Sequence, residues 1–229
     1  MSRRMLVIAP HPDDEILGVG ATMARFARAG GEVTVLTVAA HMPPLYTPEE
    51  HQRTIDEARR AHALVGVKES LFLNNPAVLM ERIPTPDFNR QIEEVIKRLE
   101  PEICLIPFCD RHIDHRRIFD AAQVAARPVG AGRKIKVLAA YETLSETHWN
   151  APFVEPNFVP NWCVDASDVI DLKIEALRCY ESQVQPFPMS RSLEAVRALA
   201  LFRGSQVGMG YAEAFCILRM TASPESLFG

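Results

Sequence analysis

An α/β fold is predicted for this chain: a Rossmann-like, three-layer arrangement of a mostly parallel sheet between helices, with a more irregular C-terminal third. Three observations predict it. Apolar runs (Met5-Leu6-Val7-Ile8-Ala9 and Ile103 to Ile106) and the largely β-branched run Val33 to Val38, which carries two threonines, have the pattern of strands buried on both faces. Segments with apolar residues at helical spacing separate them, and the order strand, helix, strand repeats, as parallel neighbours require. No composition break or flexible linker divides the 229 residues, so one domain spanning 1–229 is expected.

Residues 5–9 read as the first strand. A helix follows from Asp14, with Ile16, Leu17, Met23, Phe26 and Ala27 on its apolar stripe and Gly30-Gly31 as its stop. Residues 33–38 form a second strand, 41–48 a Pro-rich loop placed to contact a ligand, and 48–65 a polar helix opened by Pro48 and closed by Gly66. A short strand at 71–73 precedes residues 74–86, whose three prolines and two asparagines predict loop. Phe88, Ile92, Val95, Ile96 and Leu99 give an amphipathic helix over 87–99, ended by Pro101, before a strand at 103–107. Helix through 119–126 and strand at 135–140 come next. The irregular, aromatic stretch 146–162 is placed to serve as a pocket wall or a homo-oligomer contact. A strand at 162–164, helices at 169–182 and 193–202, and a last, edge strand at 211–220 complete the chain.

Bulk properties exclude several classes. The chain is 48% hydrophobic and 24% charged with a net charge of −4, which gives no basic face for nucleic acid and no polybasic membrane patch. The apolar run after Arg4 is too short for a signal peptide or a membrane span. Five scattered cysteines without a Cys-x-x-Cys read as reduced thiols, the usage of a cytoplasmic protein.

The chemistry concentrates in two clusters. Pro10-His11-Pro12-Asp13-Asp14-Glu15 follows the first strand, and Asp110-Arg111-His112-Ile113-Asp114-His115 follows the fourth. Both therefore project from the carboxyl edge of the sheet, where open α/β sheets bind ligands. His11, Asp14 and either His112 or His115 would supply two imidazoles and one carboxylate, a set suited to zinc with a position left open. Helix capping by Asp13 or Asp14 is the alternative reading of one cluster, but two clusters at corresponding strand ends argue against coincidence. Glu15 reads as a first-turn helix charge, and His41, His51, His62 and His148 as surface or loop residues. Gly18-x-Gly20 is not a dinucleotide fingerprint, because Met23 occupies the third glycine position and the pair lies well past the strand. It reads instead as close helix–sheet packing.

Ala9-Pro10-His11-Pro12-Asp13-Asp14-Glu15 with His112-Ile113-Asp114-His115 resembles the LmbE-like or PIG-L family of zinc-dependent N-deacetylases, which act on N-acetylglucosamine-containing substrates and related amides. Ala176-Leu177, Tyr180, Ser182-Gln183, Arg203-Gly204-Ser205 and Tyr211 to Phe215 resemble its later segments, so the likeness extends over most of the chain. The resemblance implies one Zn2+ per chain on His11, Asp14 and His115, and Asp13 as general base. It further implies His112 steadying the tetrahedral intermediate with Asp114 as orienting partner, and Arg53 binding substrate. Asn74-Asn75-Pro76 departs from the Asp-Gly turn of many members, which bears on substrate identity. The implied activity is a cytoplasmic hydrolase taking acetyl from an N-acetylated amino sugar or sugar conjugate. Alternatives are an amidase on a thiol conjugate or antibiotic intermediate and, from another class, a non-haem iron oxygenase, whose sites usually sit in all-β scaffolds. The residue types fit hydrolysis: zinc polarises an amide carbonyl and acidifies water, Asp13 takes the proton, and a protonated His112 favoured by Asp114 meets the oxyanion.

Overall fold

The computed structural model describes residues 3–151 and 153–222. Seven strands form one sheet in the order β3-β2-β1-β4-β5-β7-β6. These are β1 (Arg4–Ala9), β2 (Glu32–Ala40), β3 (Glu69–Pro76), β4 (Ile103–Pro107), β5 (Val137–Tyr141), β6 (Trp162–Asp165) and β7 (Ala212–Met220). The first five are parallel neighbours, and β7 runs antiparallel to both β5 and β6. Alternate side chains of each strand point to opposite faces, so Met5, Val7 and Ala9 enter one apolar cluster and Leu6 and Ile8 the other. Helices α1 (Asp14–Arg28), α2 (Pro48–Leu64), α5 (Ile170–Arg178) and α6 (Leu193–Ser205) cover the first face. Helices α3 (Thr85–Leu99) and α4 (Ile113–Ala125) cover the second. The three layers, the mostly parallel sheet and the buried central strands β1, β2 and β4 agree with the sequence reading. Among the described residues no helix is long and apolar enough to cross a membrane.

Four expectations are corrected. Residues 74–76 are strand, not loop, because β3 is an edge strand and an edge tolerates Pro76, which has no donor to offer. Asn75 is buried there, its side-chain amide donating to the Val38 carbonyl. The fourth helix begins at Ile113 instead of 119, because His112 caps it, so the second cluster lies on its first turn. Helix α5 ends at Arg178, short of 182. The last strand is internal: β7 lies between β5 and β6, leaving β6 as the edge.

Two side-chain devices seat α1 on the sheet. The Tyr141 hydroxyl donates to the Ile8 carbonyl at 2.9 Å, and its ring passes under α1 at Gly18. A Cβ on Gly18 would lie 2.2 Å from that ring and 2.9 Å from the Glu142 carbonyl. The glycine is there for closeness, as expected. Further along, the buried pair Lys173–Glu213 (2.6 Å) is inserted against the helix. Lys173 donates to the Leu17 carbonyl and Glu213 accepts from the Ala21 and Thr22 N–H groups, so every charge in the pair has a hydrogen-bond partner.

Gly18→Ala should cost roughly 1–3 kcal/mol by overpacking, read as a fall of several degrees in Tm. An unchanged Tm would show that Tyr141 has room to move.

Candidate metal and catalytic centre

The strand order reverses between β1 and β4, since β2 and β3 extend the sheet one way and β5 the other. That switch point opens a crevice at the carboxyl ends of two adjacent strands, and both clusters sit there. β1 gives way to Pro10-His11-Pro12, then to Asp13 in a left-handed backbone conformation (φ 118°) just before α1. β4 gives way to Asp110, whose carboxylate accepts the His112 N–H at 3.0 Å. His112 then caps α4, its Nδ1 accepting the Asp114 N–H at 3.2 Å.

His11, Asp14 and His115 each offer a ligand atom within 4.8 Å of the others, and all three are buried. Asp14 Oδ2 accepts the His11 backbone N–H at 2.9 Å and lies 3.2 Å from His11 Nδ1 and 3.4 Å from His115 Nε2. The outer nitrogens are anchored: His11 Nε2 to Asp114 at 2.9 Å, His115 Nδ1 to Asp110 at 2.9 Å. A carboxylate behind each imidazole fixes its ring and raises its basicity, the arrangement of metal-ligating histidines. His115 Nε2 and Asp14 Oδ1, by contrast, are buried with no hydrogen-bond partner. Buried polar atoms are seldom left so, and a cation between them would satisfy both. The residues therefore fit a metal ion. His11, His112 and Asp114 also cluster, but there His112 Nδ1 is taken by a backbone N–H and Asp114 Oδ2 by His11 and the Val78 N–H.

Burial opposes charge on these histidines, yet Asp114 and Asp14 push His11 up to about 9, and Asp14 with Asp110 pushes His115 up to about 10. Asp14 is held well below the usual carboxylate range, its own burial outweighed by His115 and His11. Burial pushes Asp13 well above that range, with Arg191 pulling it back.

Among the other residues singled out, Asp13 and His112 line a cavity of about 530 Å³ together with His11, His41, Tyr46 and Arg53. Asp13 caps nothing: its side chain makes no hydrogen bond to the helix, and both carboxylate oxygens lack a hydrogen-bond partner. The pairing of Asp114 with His112 differs from expectation. The Asp114 carboxylate goes to His11, and only its backbone N–H meets the His112 ring. His112 is accordingly not favoured as a cation: burial, then the charges of His11 and His115, push it down to about 4. Arg53 reaches the cavity from α2, its Nε held at 3.0 Å by buried Glu57. His62 is 2% exposed, not a surface residue, and His41 stacks on Tyr46 at 4.3 Å within the cavity lining. Glu15 lies in the first turn of α1, as expected, and is fully buried there.

Arg191 was not legible in the sequence. It lies 3.4 Å from Asp13 Oδ2 and is itself held by Glu146 (3.0 Å), Ser145 (3.0 Å) and Gln183 (3.2 Å). Its loop has no periodicity, so only Gln183, in the Tyr180 to Gln183 segment, carried a sequence signal. Thr147, which donates to Asp110 at 3.2 Å behind His115, was equally hidden.

The chain is 27% identical over 224 residues to the diacetylchitobiose deacetylase of Thermococcus kodakarensis, covering 92% of this chain and 81% of that protein. It is 26% identical over 235 residues to the 1D-myo-inositol 2-acetamido-2-deoxy-alpha-D-glucopyranoside deacetylase of Acidothermus cellulolyticus, covering 80% of each. N,N'-diacetylchitobiose deacetylase from Pyrococcus horikoshii superposes with a TM-score of 0.74 at 23% identity, over 95% of this chain and 84% of that one. GalB, the 4-carboxy-2-hydroxymuconate hydratase from Pseudomonas putida, superposes with a TM-score of 0.78 at 18% identity, over 96% of this chain and 98% of that one. Those two likenesses establish the fold alone, and a fold hosts more than one chemistry. The profile of the family described as PIG-L: GlcNAc-PI de-N-acetylase matches residues 6–126, a span that covers more than half of the chain and contains both clusters. This chain belongs to the PIG-L family.

Proposed function

We propose that this chain is a metal-dependent hydrolase that removes the acetyl group from an N-acetylated amino sugar or sugar conjugate, with one Zn2+ held by His11, Asp14 and His115. The single observation that carries the reading is the buried trio whose inner atoms, His115 Nε2 and Asp14 Oδ1, have no hydrogen-bond partner while the outer imidazole nitrogens are anchored to carboxylates. Three protein ligands with a position left open is the pattern of catalytic zinc. The substrate class is supported by the names of the two relatives, each a deacetylase of an acetylated amino sugar. A cavity of about 530 Å³ has room for such a ring beside the trio.

When bound, the ion supplies Lewis acidity, polarising an amide carbonyl and bringing the pKa of water toward about 7. Asp13, on the cavity wall, takes the proton of the attacking water and returns it to the departing nitrogen. Burial raises the Asp13 pKa and Arg191 offsets that only in part; a dication beside it would act in the same sense as Arg191 and favour the charged base. His112 works as a neutral ring. With Nδ1 accepting from the Asp114 N–H, the proton resides on Nε2, which donates to the oxygen that becomes negative as the carbonyl is attacked. Arg53, steadied by Glu57, engages the part of the substrate beyond the amide. The products are acetate and a free amine.

The direct test is release of free amine from a panel of N-acetylated sugars by chelator-treated protein, before and after zinc is restored. Zinc-dependent release is expected, and none with any sugar overturns the reading. Asp13→Asn should keep its metal and lose on the order of 10²–10⁴-fold in kcat; near-normal turnover would remove Asp13 as base. His115→Ala should lose the ion, whereas His112→Ala should keep it and slow by on the order of 10²–10³-fold. The opposite pattern would exchange their roles. Because His11 and His115 hold their protons up to about 9 and 10, zinc binding at pH 7 should expel about two protons, a number that falls as pH rises through both values. Calorimetry in buffers of different ionisation enthalpy reads that count, and zero protons at pH 7 would show that both imidazoles are already neutral in the metal-free protein.

A further inference from the structure

Asp13 is the residue on which the proposed proton transfer turns, and its backbone is in a conformation that side chains rarely adopt, φ 118° and ψ −29°. Such a residue costs on the order of 1–3 kcal/mol and persists only where its surroundings over-determine it. The surroundings can be named. The Asp13 carbonyl accepts the N–H groups of Ile16 (3.0 Å) and Leu17 (2.9 Å), which fixes one side of the residue. On the other side its N–H is accepted by Glu15 Oε2 at 3.2 Å.

Glu15 is in turn immobilised. Its carboxylate is fully buried. Oε1 accepts the Tyr180 hydroxyl and lies 3.3 Å from His62 Nε2, and the far nitrogen of that ring meets the Ser70 hydroxyl at 2.7 Å. Tyr180 and His62 are 0% and 2% exposed. Neither they nor Glu15 line the cavity, so none of the three touches substrate there. They come from α1, α2 and the turn after α5, three separate parts of the first face, and converge on the one carboxylate that grips the Asp13 N–H. A buried carboxylate is expensive unless surrounded by donors. An apolar side chain at position 15 would fill the space but could not accept that N–H.

We propose that Glu15, locked by Tyr180 and His62, is a positioning residue for Asp13: it holds the peptide in its left-handed conformation and so aims the carboxylate into the cavity. The inference rests on the reading of Asp13 as general base. Arg191 holds the same residue by its side chain; the Glu15 set holds it by its main chain.

The test uses full-length, zinc-loaded protein and the variants Glu15→Gln and Tyr180→Phe. Glu15→Gln leaves one acceptor oxygen for two donors, the Asp13 N–H and the Tyr180 hydroxyl, so the lock is broken at one of them, and it should lower kcat on the order of 10–100-fold with KM and zinc content unchanged. Tyr180→Phe, which removes one hydroxyl, should lower kcat less, in the same direction. In an Asp13→Asn background neither change should alter the residual rate, because there is no base left to aim. A kcat within twofold of wild type for both single variants, or an equal loss in the Asp13→Asn background, would reduce the set to core packing. Should Glu15→Gln not fold, Tyr180→Phe decides by the same criteria. A crystal structure of the variant that folds separates this proposal from the functional one. Residue 13 leaving positive φ supports positioning even where no sugar is deacetylated, and an unmoved φ overturns it even where deacetylation is normal.

Discussion

A carboxylate with no exposure to solvent, that of Asp14, joins the two halves of the site. One of its oxygens meets the His11 N–H and faces the rings of His11 and His115, residues more than a hundred positions apart in the chain. An ionised group that deeply buried must be compensated, and here the compensation comes from the two imidazoles and the His11 N–H. Because β1 and β4 are hydrogen-bonded neighbours in register (Met5 with Ile103, Val7 with Leu105), the loops leaving them cannot avoid one another. Sheet topology provides the proximity and buried charge makes it specific.

The supporting contacts follow a common logic. Each residue at the centre has a polar partner on the side away from the cavity. Asp114 stands behind His11, Asp110 with Thr147 behind His115, and Glu15 behind the Asp13 peptide. Glu57 stands behind Arg53 and also binds the Ser182 hydroxyl and N–H, which ties α2 to the turn after α5. The cavity is thus lined by side chains whose rotamers are set from outside, the preorganisation that electrostatic catalysis needs. His112 shows how far such a partner can shift a role. Burial and two nearby imidazoles, with a backbone donor on Nδ1, favour its neutral ring over the cation expected from the sequence.

The C-terminal third, irregular in sequence, is what completes the centre. Lys173 and Glu213 seat α1, Tyr180 locks Glu15, Arg191, held by Gln183, reaches the Asp13 carboxylate, and Arg203 pairs with Glu142 at the end of β5. The parallel core built from the first half brings the candidate ligands together; the later segments orient what surrounds them.

The alternation of apolar runs with helical periodicity determined the three-layer fold by itself, and the position of both His/Asp clusters at strand ends determined that they share an edge. These are local signals, since burial on both faces and strand-to-loop boundaries are written in neighbouring residues. Spacing could not choose between His112 and His115, which only the resemblance separated, and their distinct surroundings depend on which nitrogen each ring has free. It could not show that Asp114 serves His11, that Glu15 and His62 are core residues, or that Arg191 faces Asp13. Those pairings join positions 47 (Glu15 with His62) to 178 (Asp13 with Arg191) residues apart, and such contacts are decided by packing of whole elements, where no sequence period reaches. Even the end of β3 was a tertiary matter: Pro76 reads as loop until its strand is known to lie at the edge of the sheet, where a missing N–H costs nothing.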